Sequence, residues 1–342
     1  MWRFNDRARS GAPASGVDRR SLVALALIGL ALAVAPLIFG MFEKGPKGTE
    51  MLEEFKPFMT DERLGAFQRH IRNIDAGVQE ADAAAATALE GTGAAAHARF
   101  ERRFPGVAQF HEDWPPIDAD MTDLLVKIRA NVGNYEAVEA LPSFTIFPWL
   151  FVVPGLLVAL LALVVALVPR GVRQIRWAVV VVGIGLALTP VVMQMFDRAP
   201  RGGRMMTTFK TIETREKVEA MQGYFGAIAV GQGALRLQLV PALRRDGLDA
   251  REIARRLPAI TTLNRSWIAI LNDMTPMIGA MSDNVDNYQA LMSLPPFRLF
   301  PWFFVAPGLL IAGLALAGGR RGRRTPAPAT ATGPVILPST PA

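Results

Sequence analysis

The sequence predicts an all-α membrane protein made by tandem duplication, in which a unit of membrane helix, helical outer domain and membrane helix is written twice. Three observations carry that prediction. Of the 342 residues 51% are hydrophobic while 20% are charged, so the apolar content is gathered into segments rather than spread evenly. Four segments of about 20 residues lack charged side chains, the length that spans a bilayer's hydrocarbon as a helix. The chain also repeats itself. Phe42-Glu43-Lys44-Gly45-Pro46-Lys47-Gly48 returns 154 positions on as Phe196-Asp197-Arg198-Ala199-Pro200-Arg201-Gly202, and the run from Asn134-Tyr135 to Pro154-Gly155 returns 153 positions on, from Asn287-Tyr288 to Pro307-Gly308. A repeat of this length fixes the architecture before any motif is sought.

Taken in order, residues 1–20 are a basic cytoplasmic tail carrying Arg3, Arg7, Arg9, Arg19 and Arg20. Repeat one covers 21–168, with spans at 21–42 and 146–168 around an outer domain at 44–145. A link at 169–176 carries Arg170, Arg173 and Arg176. Repeat two covers 177–318, with spans at 177–196 and 299–318 around an outer domain at 197–298. Residues 319–342 form a Pro/Ala-rich cytoplasmic tail, expected to be disordered. Arg19-Arg20 before an apolar run and Ala33-Val34-Ala35 within it resemble a signal peptide. Pro36 would follow the cut, however, and Gly29, Ala33 and Pro36 recur as Gly183, Ala187 and Pro190 in an internal segment. The first span is therefore expected to be retained.

Arginine on the tails and the link places both termini in the cytoplasm and both outer domains outside the plasma (inner) membrane. Two copies with the same orientation make a parallel repeat, its pseudo-twofold axis along the membrane normal. Pro36, Pro154, Pro190 and Pro307 lie inside the spans, where neighbouring helices satisfy freed carbonyls. Gly29-x-x-x-Ala33, Gly155-x-x-x-Ala159, Gly183-x-x-x-Ala187 and Gly308-x-x-x-Ala312 predict close helix approach.

The outer domains read as antiparallel helical bundles. Leu64, Phe67, Ile71, Ile74, Val78, Ala81, Ala85 and Ala88 alternate spacings of three and four, and Val218, Met221, Phe225, Ile228, Gln232, Leu235 and Leu239 repeat the seam. Thr60 and Thr214 stand where an N-cap is wanted. A second long helix is predicted over roughly 120–140 and 272–292, and the alanine-rich stretch 83–98, broken by Gly91 and Gly93, matches its counterpart least.

The net charge of +7 does not point to nucleic acid, because much of it lies on the cytoplasmic flanks beside anionic lipid. The first outer domain is net acidic and the second net basic. With no cysteine there is neither disulfide nor thiolate site. His70, His97 and His111 lack zinc spacing and do not recur, so neither metal nor cofactor is expected. No nucleophile elbow, dinucleotide fingerprint or phosphate loop is present, and no acid/base set can be nominated. A non-enzymatic protein follows.

Recurrence selects the candidate binding residues. Asp120, Asn131, Asn134 and Tyr135 match Asp273, Asn284, Asn287 and Tyr288; on a helix each set falls within an arc of roughly 100°. Each stripe is either a ligand or partner contact or a set of structural caps. Arg102-Arg103 match Arg255-Arg256, each pair ahead of a proline, as helix-dipole partners or as a site for anions or lipid headgroups. Trp149 and Trp302 are read as membrane-interface anchors. The layout resembles that of bacterial four-helix-bundle sensory receptors, a resemblance of architecture that carries no function by itself. The expected role is a receptor or scaffold of the cell envelope whose outer domains bind an envelope protein, a second copy or a small ligand. The alternative is an accessory subunit or channel-like component that moves lipid or another envelope substrate.

Overall fold

Every regular element among the described residues is helical, and side chains cap three of the helices, at Thr60, Thr214 and Asp249. The computed structural model describes residues 19–168 and 172–320. The arginines at 3, 7, 9 and 170 and the tail from residue 321 lie outside them.

Four helices are long and apolar enough to cross a membrane: α1 (Arg19–Ile38), α7 (Phe147–Leu167), α8 (Val172–Val192) and α14 (Phe300–Arg320). The described residues up to Ala35, Leu150–Thr189 and those from Phe303 onward form one compact unit. In it α1 crosses α7 with no room for side chains, since a Cβ on Gly29 would lie 2.6 Å from the Gly155 carbonyl oxygen and the reverse distance is also 2.6 Å. The crossing of α8 with α14 repeats this, at 2.7 Å from Gly183 to the Gly308 oxygen and 2.5 Å in reverse. The small residues of the Gly-x-x-x-Ala pattern thus sit at two backbone crossings. Phe151 and Phe304, with ring centroids 4.3 Å apart, join the two pairs.

Pro36–Trp149 and Pro190–Trp302 form a second compact unit. Helices α1 and α8 stop short of Phe42 and Phe196, because Gly40 (φ 64°) and Gln194 (φ 54°) take left-handed conformations and turn the chain into α2 (Met41–Phe55) and α9 (Met195–Phe209). Next come α3 (Asp61–Glu80) and α10 (Arg215–Ala234), capped by Thr60 and Thr214, whose hydroxyl oxygens accept from the backbone N–H of Arg63 and Lys217. Each runs into one wide π turn, Ala81–Ala85 and Leu235–Leu239. The first half continues through α4 (Ala86–Glu90) and α5 (Ala94–Arg103), parted at Gly91 and Gly93, both at positive φ. The second half has α11 (Val240–Arg245) and α12 (Ala250–Arg256), with Asp249 capping the latter.

The longest helices, α6 (Pro105–Glu139) and α13 (Pro258–Met292), have 35 residues each. They begin about 15 residues before the sequence-based boundary. Pro105 and Pro258 occupy the first helical position, where the missing N–H is no loss. Pro115, Pro116 and Pro276 lie inside and do not end them.

The two inter-span stretches share one core. Helix α2 packs on α13 and α9 on α6, so the first helix of each half lies on the long helix of the other. Helix α3 contacts both α6 and α13, and so does α10. Gly77 of α3 admits Leu263 of α13, and Gly231 of α10 admits Phe110 of α6; an added Cβ would lie 2.7 and 2.1 Å from those side chains. Phe67, Ile71, Met121, Met221, Met274 and Met277 help to line a cavity of about 20 Å³ where α3, α6, α10 and α13 meet. Of the seam residues, Leu64, Phe67, Ile71, Ile74, Val78, Ala81, Val218, Met221, Ile228, Gln232, Leu235 and Leu239 are buried here, while Phe225 and Ala88 are partly exposed.

Candidate functional site

The recurring polar residues all lie on α6 and α13, and the structure shows what each one holds. Asp120 on α6 accepts hydrogen bonds from Lys217 Nζ and Tyr224 Oη of α10, both at 2.8 Å. Asp273 on α13 accepts from Arg63 Nη1 of α3 at 2.7 Å and pairs with His70 Nε2 at 2.8 Å. Each aspartate therefore reaches into the opposite half. Arg63 and Lys217 occupy equivalent positions, and so do His70 and Tyr224, so a cation and a ring donor meet the carboxylate both times. The hydrogen bond from Lys217, then that from Tyr224, holds the Asp120 carboxyl below the ordinary range; His70, then the Arg63 charge, does so for Asp273 against the opposing effect of burial.

Further along each helix stands an Asn pair. The buried Asn131 donates to the Lys127 carbonyl at 2.9 Å and accepts from Asn134 Nδ2 at 3.0 Å. Asn284, fully buried, donates to the Ala280 carbonyl at 2.8 Å and to Glu54 Oε2 of α2 at 2.5 Å, while Asn287 Nδ2 donates to it at 3.1 Å. One turn on, Tyr135 Oη donates to the Leu52 carbonyl and Tyr288 Oη to the Met206 carbonyl, both at 2.6 Å. Burial raises both phenols, Tyr288 up to about 12. All eight residues thus have partners within the chain. Asp120, Tyr135, Asp273, Asn284 and Tyr288 tie their helix to another, while Asn131, Asn134 and Asn287 bond along their own helix.

The arginine pairs divide. Arg103 donates to Glu90 Oε1 at 3.1 Å and lies over the Phe104 ring, while Arg255 and Arg256 both pair with Glu252. Arg102 is exposed. Trp149 and Trp302 are 54% and 56% exposed, their rings edge-on to Phe42 and Phe196. His97 lies 3.4 Å from Asp82 Oδ1 and His111 3.8 Å from Asp82 Oδ2. Among the described residues no group of three or more His, Asp or Glu is placed to hold a metal ion.

No protein-family model, curated protein or solved structure matches this chain.

Three features escaped the recurrence filter because they differ between the halves. Glu213, where the first half has Met59, is a buried carboxyl with one oxygen lacking any partner, and burial pushes it up to about 8. The second feature is a ridge on α10 and the π turn after it. Gly223, Gly226, Val230, Gly233 and Leu237 follow one another at spacings of three and four, which is one helix face. Val230 and Leu237 are each 72% exposed, and the three glycines have open space where a Cβ would stand. The first half has Arg69, Arg72, Ala76, Gln79 and Ala83 at these positions. The third is a groove of about 680 Å³ between α9 and the segment leading from α13 to α14. Comparing charge and size at equivalent positions, rather than identity, would have found all three.

Proposed function

We propose that this chain is a non-catalytic, multi-pass protein of the cell envelope. It arose by tandem duplication and its termini lie in the cytoplasm. Its two outer stretches form one extracytoplasmic helical unit that acts as a scaffold by docking a partner helix. The carrying observation is the exposed ridge of Gly223, Gly226, Val230, Gly233 and Leu237. Apolar side chains alternating with glycine give a partner helix knobs to grip and room for close approach. The occupant that fits is a second copy of the chain. A ridge that carries both knobs and gaps is complementary to itself, as a twofold interface requires. The first half's charged version of the face would not serve. The polar stripes, spent on internal ties, support the reading from the other side, since they leave recognition to the surfaces that differ.

The absence of cysteine makes the test clean. Val230→Cys and Leu237→Cys, each oxidised in native membranes, should give a covalent dimer of twice 37.1 kDa, while Arg69→Cys on the equivalent first-half face should not. An adduct of another mass would replace the second copy by a different envelope protein. No adduct from either ridge position would reject the docking face.

A further inference from the structure

We propose that the groove beside α9 binds an anionic phospholipid, its phosphate against Arg204 and Arg298 and an acyl chain along the apolar wall. The groove is walled by Arg204, Met206 and Thr207 of α9, by Leu291 at the end of α13, and by Leu294 and Arg298 of the following segment. Its volume, about 680 Å³, suits part of a lipid molecule rather than a simple ion. Arg204 and Arg298 are the only ionisable groups lining it, so no carboxylate is among the lining residues, and neither arginine has an ion pair among the described residues. Two unpaired guanidiniums over an apolar wall match an anionic headgroup joined to a hydrocarbon tail.

The first half shows that this chemistry is particular to the groove. Arg204 is replaced there by Glu50, Thr207 by Glu53, Met292 by Glu139 and Arg298 by Thr145. The same place is also bridged: Thr49 and Ser143 hydroxyls are hydrogen-bonded at 3.0 Å, where the second half has Gly203 and Pro296. One copy is acidic and bridged by that hydrogen bond, the other basic and without it. A membrane source for the anion follows from the chain itself, because Phe297 and Arg298 are the first residues of the apolar segment Phe297–Gly318. A basic residue at such a position attracts anionic lipid.

The proposal rests on the reading of the chain as a membrane protein but not on its docking partner. Full-length protein in mild detergent is mixed with equal amounts of phosphatidylglycerol and phosphatidylcholine, and retained lipid is counted by native mass spectrometry. Phosphatidylglycerol should be preferred about tenfold or more. That preference should fall close to one in the double variant Arg204→Glu with Arg298→Thr, which installs the first half's residues, and partway in Arg298→Thr alone. Arg236→Glu, an exposed change elsewhere on the unit, should leave it intact. An unchanged preference in both groove variants, or an equal loss in Arg236→Glu, overturns the proposal. So does displacement of the lipid by millimolar inorganic phosphate, which would make the site one for a soluble anion. If instead the chain fractionates with soluble protein, the membrane reading fails, and that result is distinct from any of these.

Discussion

Asp120 and Asp273 show how a single carboxylate can fasten two halves of a chain. Each is partly exposed, so its ties are worth less than buried charge pairs, yet each combines a cation with a ring donor. Asp273→Asn or Asp120→Asn is expected to lower unfolding stability by about 1–2 kcal/mol at pH 7. Because the folded carboxyls sit below their ordinary value, this stability is present above about pH 4 and is lost as pH falls through the folded-state value. Glu213 has the opposite sign. Its folded form keeps its proton up to about pH 8, whereas the unfolded chain releases it near the ordinary 4.5, so stability falls as pH rises between these two values. Glu213→Met, which restores the first half's residue, should therefore stabilise by roughly 3 kcal/mol at pH 7 and by little at pH 4.5. Thermal unfolding of both variants across pH tests this, and a pH-independent gain for Glu213→Met would show that the carboxyl titrates alike in the folded and the unfolded chain. None of these partners was legible from recurrence of identical residues, since Arg63 answers to Lys217 and His70 to Tyr224. The charge and donor type recur where the letters do not.

At the scale of the element, helix starts were legible at Thr60 and Thr214, where a side chain makes the cap, and illegible where the backbone alone decides. Gln194 is the plainest case. It holds φ 54° at the position where the first half has glycine, a conformation that carries a steric penalty for any residue with a Cβ. Gln194→Gly should stabilise by about 1 kcal/mol, read as a higher melting temperature. Glycine acts differently inside the helices. Gly231→Ala drives a methyl into the Phe110 ring and should destabilise by about 1–3 kcal/mol, while Gly279→Ala, in open space on α13, should stabilise by about 0.5–1 kcal/mol. Partial recovery of Gly231→Ala by Phe110→Ala would confirm that the glycine exists to admit the ring. The early starts of the long helices were illegible for a related reason, since no side chain caps α6 or α13, which begin at Pro105 and Pro258.

For the whole molecule, sequence periodicity found the apolar faces but could not say which faces meet, because the seams of the two halves are alike and would pack equally well within a half or between halves. In the structure each seam does both, since α3 and α10 each meet α6 and α13, while α2 on α13 and α9 on α6 join one half to the other. Residues 41–146 and 195–299, expressed as separate fragments, are each expected to be largely unfolded and to regain helix when mixed, as judged by circular dichroism. A fragment that melts cooperatively on its own would show that the crossing is dispensable. The crossing also has a history in time. Glu80 at the end of α3 accepts the backbone N–H of Ile260 near the start of α13, a partner 180 residues later, and Gly77 waits for Leu263 from the same helix. At a ribosomal pace of about 5–20 residues per second, that interval lasts roughly 10–40 s. During it the first half stands translated with its inner faces bare, so assembly of this protein depends on whatever shields those faces until its second half arrives.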